Sequence, residues 1–213
     1  MLGLSVVGCG RETAQKLSRG HFAAMPYAEV PAFVAVLRER EALAAMALEF
    51  TILTAARSGE VLGATWEEID FEAKVWTVPA PRTKAGREHR VPLSGRAMAI
   101  LHRLAEAKTG KFVFFGRRAS RPLSPMALTI VLHRMNREGV TVHGFRSAFR
   151  DWCGEETHFP REIAEAALAH VTGDKTEAAY RRDDALEKRR ALMEAWASYC
   201  EASANVLTLR AKG

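Results

Sequence analysis

The chain has 213 residues, of which 48% are hydrophobic and 26% are charged, and its formal net charge is +6. This length and composition can support a sizeable core in one domain and argue against a wholly disordered protein. The basic balance favours a polyanionic partner such as nucleic acid, although a basic protein without such a partner has the same charge.

The three cysteines, Cys9, Cys153 and Cys200, are far apart and have no C-x-x-C spacing. This pattern argues against a disulfide framework and a cysteine-rich zinc site, and it favours a reducing, cytoplasmic compartment. No apolar run approaches the roughly 18 residues of a membrane span, so no membrane association is expected. The N-terminal stretch also lacks the basic start of a signal peptide.

The first third of the chain predicts an irregular lead-in followed by two helices. Residues 1–24 have no regular pattern. Residues 26–40 place apolar side chains three and four positions apart, which predicts an amphipathic helix with Pro31 in its first turn. Residues 42–56 are apolar on nearly all sides, which predicts a buried central helix. That helix ends beside Arg57, whose charge must be paired or directed at a ligand if it is buried.

The hydrophobic period then changes to that of short strands. We predict two or three antiparallel strands between residues 66 and 93, with residues 82–90 as a hairpin whose tip lies near Gly86. A further helix is predicted to begin at Ser94. A second has Ser124 as its N-cap and ends near Arg137, and a third begins at His143 and ends near Glu156.

The C-terminal part of the chain is also predicted to be helical. A helix starts at Pro160, and Asp174 with Glu177 resembles a capping box. Residues 184–200 form a last amphipathic helix, and residues 201–213 form a loose tail. The chain is therefore expected to be an α+β domain that is mostly helical.

Several polar residues in these elements have both a structural and a functional interpretation. His143 and Arg146 share a face at a helix start that favours an anion, but they also fit an exposed polar pair. Arg57 can pair with Glu60 and still use its planar guanidinium to bind two phosphate oxygens. The spacing alone does not decide between these interpretations.

The hairpin and the C-terminal region carry the other polar candidates. The hairpin has five basic side chains, which is typical of a solvated or DNA-facing surface, and a lysine in such a group can act as a general acid. Near the C-terminus, the local pattern around His170 fits a structural histidine, and that around Tyr180 fits a surface tyrosine. The five basic residues of the hairpin are Arg82, Lys84, Arg87, His89 and Arg90.

Taken in order, these segments resemble the tyrosine recombinases, the phage-type integrases. The resemblance covers about residues 25–200, and the segment from His170 to Tyr180 is similar in particular to integrases of prophages and genomic islands. It implies a mostly helical catalytic domain with a small antiparallel sheet in the first third. The matching segments are Thr54–Leu62 around Arg57, the hairpin of Lys84 that ends at Arg90-Val91-Pro92-Leu93-Ser94, His143-Gly144-Phe145-Arg146, Leu168-Ala169-His170, and Tyr180.

The resemblance implies a site-specific strand transferase that cleaves and rejoins double-stranded DNA at attachment sites, as a homo-oligomer and without a metal or another cofactor. A 3′-phosphotyrosyl intermediate would join DNA to the enzyme. The implied roles are the nucleophile for Tyr180, a phosphate clamp for Arg57 and Arg146, a phosphate hydrogen bond for His170, proton transfer for His143, protonation of the leaving 5′ oxygen for Lys84, support of Arg57 for Glu60, and DNA contacts for Arg82, Arg87, Arg90 and Arg181.

The chain also departs from the family pattern, and other functions stay open. Full-length integrases place DNA-binding domains ahead of the catalytic one, so we expect an isolated or shortened catalytic domain. Helix 184–200 could pack on its own domain or on a neighbouring protomer. The alternatives are a non-catalytic DNA-binding remnant, an enzyme like a type IB topoisomerase, and, with less support, a metal hydrolase that uses His143 and His170.

Overall fold

A computed structural model describes residues 24–118, 120–170 and 185–210, with the side chains of the last segment described as far as residue 202. Tyr180, Arg181 and the capping box predicted at Asp174 lie outside the described residues, as does nearly all of the predicted lead-in.

Three helices form the N-terminal part of the described fold. A short 3-10 turn, Tyr27–Glu29, leads into helix α1, Val30–Arg38, and Pro31 lies in its first turn as predicted. Helix α2, Leu43–Thr54, is the predicted central helix, and its residues from Ala47 to Thr54 are all buried. Ala55 ends α2 with a left-handed φ of 48°, and helix α3, Ser58–Leu62, follows after a short turn.

The predicted antiparallel sheet is confirmed and has three strands in the order β1-β2-β3. Strand β1 is Ile69–Asp70, β2 is Val75–Val78 and β3 is His89–Pro92. Trp76 of β2 pairs with Ile69 on one side and Val91 on the other, and its indole packs against Phe50 of α2. The sheet is thereby fastened to the central helix, and the loop between β2 and β3 extends from its edge.

The following helices match the predictions, except for one that is shorter at both ends. Helix α4, Gly95–Glu106, begins at its N-cap Ser94, whose Oγ accepts a hydrogen bond from the amide of Ala97. Helix α6, Gly144–Glu156, and helix α7, Arg161–Ala167, begin where the sequence predicts.

Helix α5, Ala127–Arg134, is shorter than predicted, and Ser124 is not its N-cap. Ser124 instead opens a turn, in which its carbonyl accepts from the amide of Ala127 at 3.0 Å, and the helix begins two residues later than predicted. The helix also ends before Arg137, because Asn136 adopts a left-handed φ of 54°.

Helix α8, Leu186–Arg210, packs on the chain's own core through residues 186–202. The Trp196 indole is fully buried and donates to the Ile52 carbonyl of α2 at 2.9 Å, and Arg189 donates to the Arg90 carbonyl of β3 at 2.6 Å. The helix continues to Arg210, through most of the segment where the sequence predicts a loose tail. In the described ranges, no helix is both long and apolar enough to cross a membrane.

Candidate active site

Arg57 lies at the junction between α2 and α3, where Glu60 holds both its backbone and its side chain. The Glu60 carboxylate accepts from the Arg57 amide at 2.9 Å and from Arg57 Nη1 at 3.0 Å. Glu60 is buried, whereas the Arg57 side chain keeps 21% of its surface exposed. The ion pair therefore fixes the guanidinium and leaves part of it open to a ligand.

Arg146 lies in the first turn of α6 and joins two distant turns of the chain. Its Nη1 donates to the carbonyl of Ala55, and its Nη2 donates to the carbonyl of Leu168 at 2.6 Å. These acceptors lie at the end of α2, just before Arg57, and at the end of α7, just before His170. Burial, with the nearby charge of Arg57, lowers the pKa of Arg146 to about 10, so the guanidinium stays charged at neutral pH.

The two arginines of the predicted phosphate clamp are held in different ways. Arg146 is only 5% exposed, and both of its terminal nitrogens already donate to carbonyls. Each of those nitrogens carries a second hydrogen. Arg146 thus organises the site and still has donors for an anion.

His170 follows α7 and turns its imidazole towards Arg146. Its Nε2 lies 3.4 Å from Arg146 Nη2, and its Nδ1 lies 2.6 Å from Glu165 Oε2. The backbone is held as well, because the His170 amide donates to the Glu165 carbonyl at 2.9 Å. The side chain of His170 remains 40% exposed beside the two arginines, where a ligand can reach it.

His143 is the N-cap residue of α6, and the other candidates surround it. Partial burial lowers the pKa of His143, and the positive charges of Arg146, Arg57, His170 and Lys84 lower it further, in that order. His143 is therefore favoured as a neutral imidazole that can accept a proton. These charges also show that Arg57, Lys84, Arg146 and His170 lie near His143.

Lys84 lies on the loop between β2 and β3, which Thr83 closes. Thr83 Oγ1 accepts from the Arg87 amide at 3.1 Å and donates to the Arg87 carbonyl at 2.7 Å, and it is nearly buried. Gly86 takes a left-handed φ of 64°, a conformation that glycine adopts at no steric cost. The loop thus holds Lys84 on its exposed outer side.

The other basic residues of the hairpin divide into two groups. Arg87 and Arg90 are exposed, as a DNA-facing role requires. Arg82 instead turns inward, where its guanidinium pairs with Glu68 and donates to the Glu60 carbonyl at 3.1 Å. It packs so closely over Gly63 that a Cβ there would lie 2.4 Å from Arg82 Nη1. The contacts of Arg82 thus lie within the domain although its side chain stays 26% exposed, and its predicted DNA contact stays a prediction.

Two residues of the site were not identified from the sequence. Glu165 is a single buried acid on the apolar face of α7. A buried charge requires a partner, so an acid on that face is a signal from which this residue could have been identified. His89 begins β3, and its ring hydrogen-bonds the backbone of Ala167, close enough to Glu60 and Arg146 to sense their charges. In the sequence, His89 is recognisable only as one of the five basic residues of the hairpin.

His89 makes the stability of the domain depend on pH. Burial and the charge of Arg189 lower the pKa of His89 to about 4. Between pH 6.5 and 4 the unfolded chain binds a proton that the folded chain does not, so the free energy of unfolding falls as the pH decreases through this window. The loss is as much as about 3 kcal/mol.

We expect the His89→Gln variant to lose this part of the pH dependence. The measurement is urea unfolding of both proteins from pH 4 to 7. The difference between the two slopes of the free energy of unfolding against pH is assigned to His89. Equal slopes would show that His89 is protonated alike in the folded and unfolded chains.

The arrangement is suited to binding an anion. Two arginines, two histidines and a lysine lie near one another at α3, α6, α7 and the hairpin, and Glu60 pairs with Arg57 while Glu165 contacts His170. Fixed donors of this kind stabilise negative charge that develops on a phosphate. Among the residues with a described placement, no cluster of three or more His, Cys, Asp or Glu is arranged to hold a metal ion.

Comparison with known sequences gives consistent matches. The model of the Phage integrase family matches residues 24–187. Prophage integrase IntA of Escherichia coli K12 is 41% identical over 155 residues, which are 71% of this chain and 37% of that protein. Prophage integrase IntZ of the same strain is 36% identical over 194 residues, which are 87% of this chain and 47% of that protein. The chain thus spans less than half the length of these curated relatives.

Solved structures share the fold. An integrase from mycobacterium phage Brujita superposes with a TM-score of 0.63 at 18% identity, over 87% of this chain and 60% of that one. A lambda integrase fragment, solved as a dimer bound to a COC′ core site, superposes with a TM-score of 0.57 at 18% identity, over 74% of this chain and 62% of that one. The fold is thus the mostly helical α+β fold of tyrosine recombinase catalytic domains, as predicted.

Proposed function

Because this chain belongs to the phage integrase family, we propose that it is the catalytic domain of a site-specific recombinase that acts on double-stranded DNA. The observation that carries the proposal is the convergence of Arg57, Arg146 and His170. Arg146 binds the carbonyls of Ala55 and Leu168, and it thereby brings the segments of the other two residues together. This geometry suits a single scissile phosphate.

In the proposed mechanism, Arg57 and Arg146 bind the scissile phosphate and stabilise its negative charge. Attack on phosphorus builds negative charge on the non-bridging oxygens, and donors already in place stabilise that charge without reorganising. Arg57 presents the exposed part of its guanidinium, and His170 adds a hydrogen bond from Nε2. Loss of one such donor costs about 3–4 kcal/mol of the activation barrier.

The proton transfers follow from the remaining candidates. Tyr180 attacks the phosphorus, its proton passes to the neutral His143, and the P–O5′ bond breaks as Lys84 gives a proton to the leaving 5′ oxygen. The products are a 3′-phosphotyrosyl adduct and a free 5′ hydroxyl. A second 5′ hydroxyl can reverse these steps on another strand, so rejoining needs no ATP, metal or other cofactor.

We further propose that the chain acts as an oligomer on DNA in the cytoplasm. The lambda integrase fragment was solved as a dimer bound to a core site, and another lambda integrase structure as a tetramer bound to a Holliday junction. Arg87 and Arg90 face outwards on the hairpin beside the candidate site, where they can contact the backbone of a bound duplex. Arg181 keeps the same proposed role.

Arg82 and Arg87 provide a matched test of this DNA surface. Arg82→Ala should lower the free energy of unfolding by about 1–3 kcal/mol, because the Glu60 carbonyl loses the donor from Arg82 and the Glu68 carboxylate loses its charged partner, keeping only the neutral donors of Trp76 and Thr65. Arg87→Ala should leave stability unchanged, weaken DNA binding and reduce the salt dependence of binding by about one ion. Urea unfolding and binding titrations at several salt concentrations measure both effects. Unchanged stability with weaker DNA binding in Arg82→Ala, together with lower stability in Arg87→Ala, would contradict the inward placement of Arg82.

The experiment that tests the proposed function is covalent trapping. The protein is incubated with nicked suicide duplexes tiled over the DNA that flanks its coding sequence, and the products are separated on a denaturing gel. We expect a covalent protein–DNA band that EDTA does not remove. Loss of the band with EDTA would favour the metal hydrolase, and salt-sensitive binding without a band would favour the non-catalytic remnant.

A further inference from the structure

Glu165 is the buried acid behind His170, and its two oxygens have different partners. Oε2 lies 2.6 Å from His170 Nδ1, and Oε1 lies 3.0 Å from Arg150 Nε and 3.8 Å from Arg161 Nε. The Glu165 side chain is only 6% exposed, whereas those of Arg150 and Arg161 are 49% and 78% exposed. The arginines thus form ion pairs with Oε1 without a hydrogen bond to it, and the other oxygen faces the histidine.

This contact decides which nitrogen of His170 carries the hydrogen. A carboxylate is a hydrogen-bond acceptor only, so the nitrogen that faces it must be a donor. His170 Nδ1 therefore carries a hydrogen, and Nε2 is left for the candidate site. There Nε2 lies 3.4 Å from Arg146 Nη2, from which it can accept when the ring is neutral.

We propose that Glu165 is a positioning residue that holds His170 in the Nδ1–H form and so presents Nε2 to the scissile phosphate. The inference rests on the proposed function for the identity of the ligand, but the geometry of the ring is independent of it. In the other neutral tautomer, Nε2 would carry the hydrogen and point it at the Arg146 guanidinium, which can only donate. Glu165 prevents that clash of donors.

The negative charge of Glu165 has a second consequence at the phosphate. To donate to a phosphate oxygen, Nε2 must gain a proton while Nδ1 keeps its own, and the ring then carries a positive charge next to Arg57 and Arg146. The carboxylate in contact with Nδ1 offsets this repulsion. The ring can therefore change from acceptor to donor as charge builds on the phosphate, without turning over.

The main chain supports the same arrangement. The Glu165 carbonyl accepts from the His170 amide at 2.9 Å, so the two residues are joined by one backbone and one side-chain hydrogen bond. Ala169 between them takes a left-handed φ of 50°, which turns the chain back over the end of α7. A residue that acted only through packing would not require an acceptor at Nδ1.

The test measures the tautomer directly. Nitrogen-15 NMR of ring-labelled histidine, recorded on the free protein at a pH where His170 is neutral, distinguishes protonated Nδ1 from protonated Nε2. We expect the Nδ1–H form in the wild type and a mixture of the two neutral forms in Glu165→Ala, because the acceptor at Nδ1 is lost while Arg146 Nη2, 3.4 Å from Nε2, still disfavours a hydrogen there. Glu165→Gln, whose amide oxygen can still accept, should keep more of the Nδ1–H form than Glu165→Ala. Loss of the His170 signals in His170→Phe assigns them.

Glu162 supplies the matched control, because it lies on the same helix but is exposed. Glu162→Ala and Glu162→Gln should leave the His170 tautomer and the rate of covalent trapping unchanged. Glu165→Gln, which preserves side-chain volume, should slow trapping about 10- to 100-fold, the range seen for outer partners of metal-bound histidines.

The outcomes separate the inference from the proposed function. An unchanged tautomer in folded Glu165→Ala overturns the positioning role, even if trapping slows. A changed tautomer in a protein whose wild type forms no DNA adduct supports the ring geometry and overturns the proposed chemistry. A changed tautomer with slowed trapping and an unchanged unfolding midpoint in Glu165→Gln supports both.

Discussion

Replacing Tyr180 with phenylalanine is expected to reduce covalent DNA trapping to background, the largest effect of any single substitution in this chain. Phenylalanine keeps the ring but removes the oxygen that would bond to phosphorus, so no phosphotyrosyl adduct can form. DNA binding should persist in the variant, because the basic side chains of the site and of the hairpin are unchanged. The measurement is the covalent band on a denaturing gel, with a binding titration beside it.

The other two tyrosines, Tyr27 and Tyr199, supply matched controls, and the structure explains why neither is a good nucleophile. Tyr27 donates to Glu155 at 2.9 Å and to Glu156 at 3.0 Å, and these carboxylates raise the pKa of its hydroxyl. Tyr199 stacks on Trp196 with ring centroids 5.8 Å apart, and partial burial raises its pKa. Tyr27→Phe and Tyr199→Phe should therefore both form the adduct.

The opposite pattern would remove Tyr180 from its proposed role. A band that persists in Tyr180→Phe but disappears in one of the controls would identify a different nucleophile on the same fold. A band that persists in all three single variants would place the covalent bond on another type of residue.

Replacing Arg146 with lysine is expected to have the second largest effect, on both activity and stability. The planar guanidinium reaches the carbonyls of Ala55 and Leu168 with two different nitrogens, whereas lysine has one nitrogen. At least one buried carbonyl then loses its donor, at a cost of about 1–3 kcal/mol in the free energy of unfolding. The turns that hold Arg57 and His170 are no longer tied to one group, and covalent trapping should slow about 100- to 1,000-fold.

Arg103 provides the control for this substitution. It is an exposed arginine on α4 whose nearest acid, Glu41, lies 4.0 Å away, and Arg103→Lys should change neither stability nor trapping. Urea unfolding and the rate of band formation, measured on both variants, separate the structural loss from the catalytic one. Normal trapping in a folded Arg146→Lys protein would show that a single positive charge is enough at this position.

Much of the fold could be predicted because its signals are local. The apolar run before Arg57 predicts a buried helix, and the change to short strands after Trp66 predicts the small sheet; both are confirmed. Helix α5 shows the limit of such reasoning. Ser124 followed by proline fits a helix start, but the hydrogen bond between its carbonyl and Ala127 forms a turn there instead.

The candidate site was predictable in its members and less so in its contacts. The order of Arg57, Lys84, His143, Arg146 and His170 is visible in the sequence, and in the structure the other four lie close enough to His143 to lower its pKa. Arg82 looks like its neighbours on the hairpin, yet it pairs with Glu68, fourteen residues away, and is only partly exposed. No local pattern distinguishes Arg82 from Arg87, because Glu68, with which Arg82 pairs, belongs to another element.

The sequence by itself therefore determined most of the elements and their order, since periodicity depends on near neighbours, and its resemblance to the tyrosine recombinases implied the set of groups able to act on a phosphate. Only the tertiary structure decided which of those groups are fixed, buried or exposed. The cost of burying a charge or a polar group depends on partners that folding brings from far along the chain. Arg146 shows this most clearly, because its two backbone acceptors lie 91 and 22 residues away and their meeting forms the site.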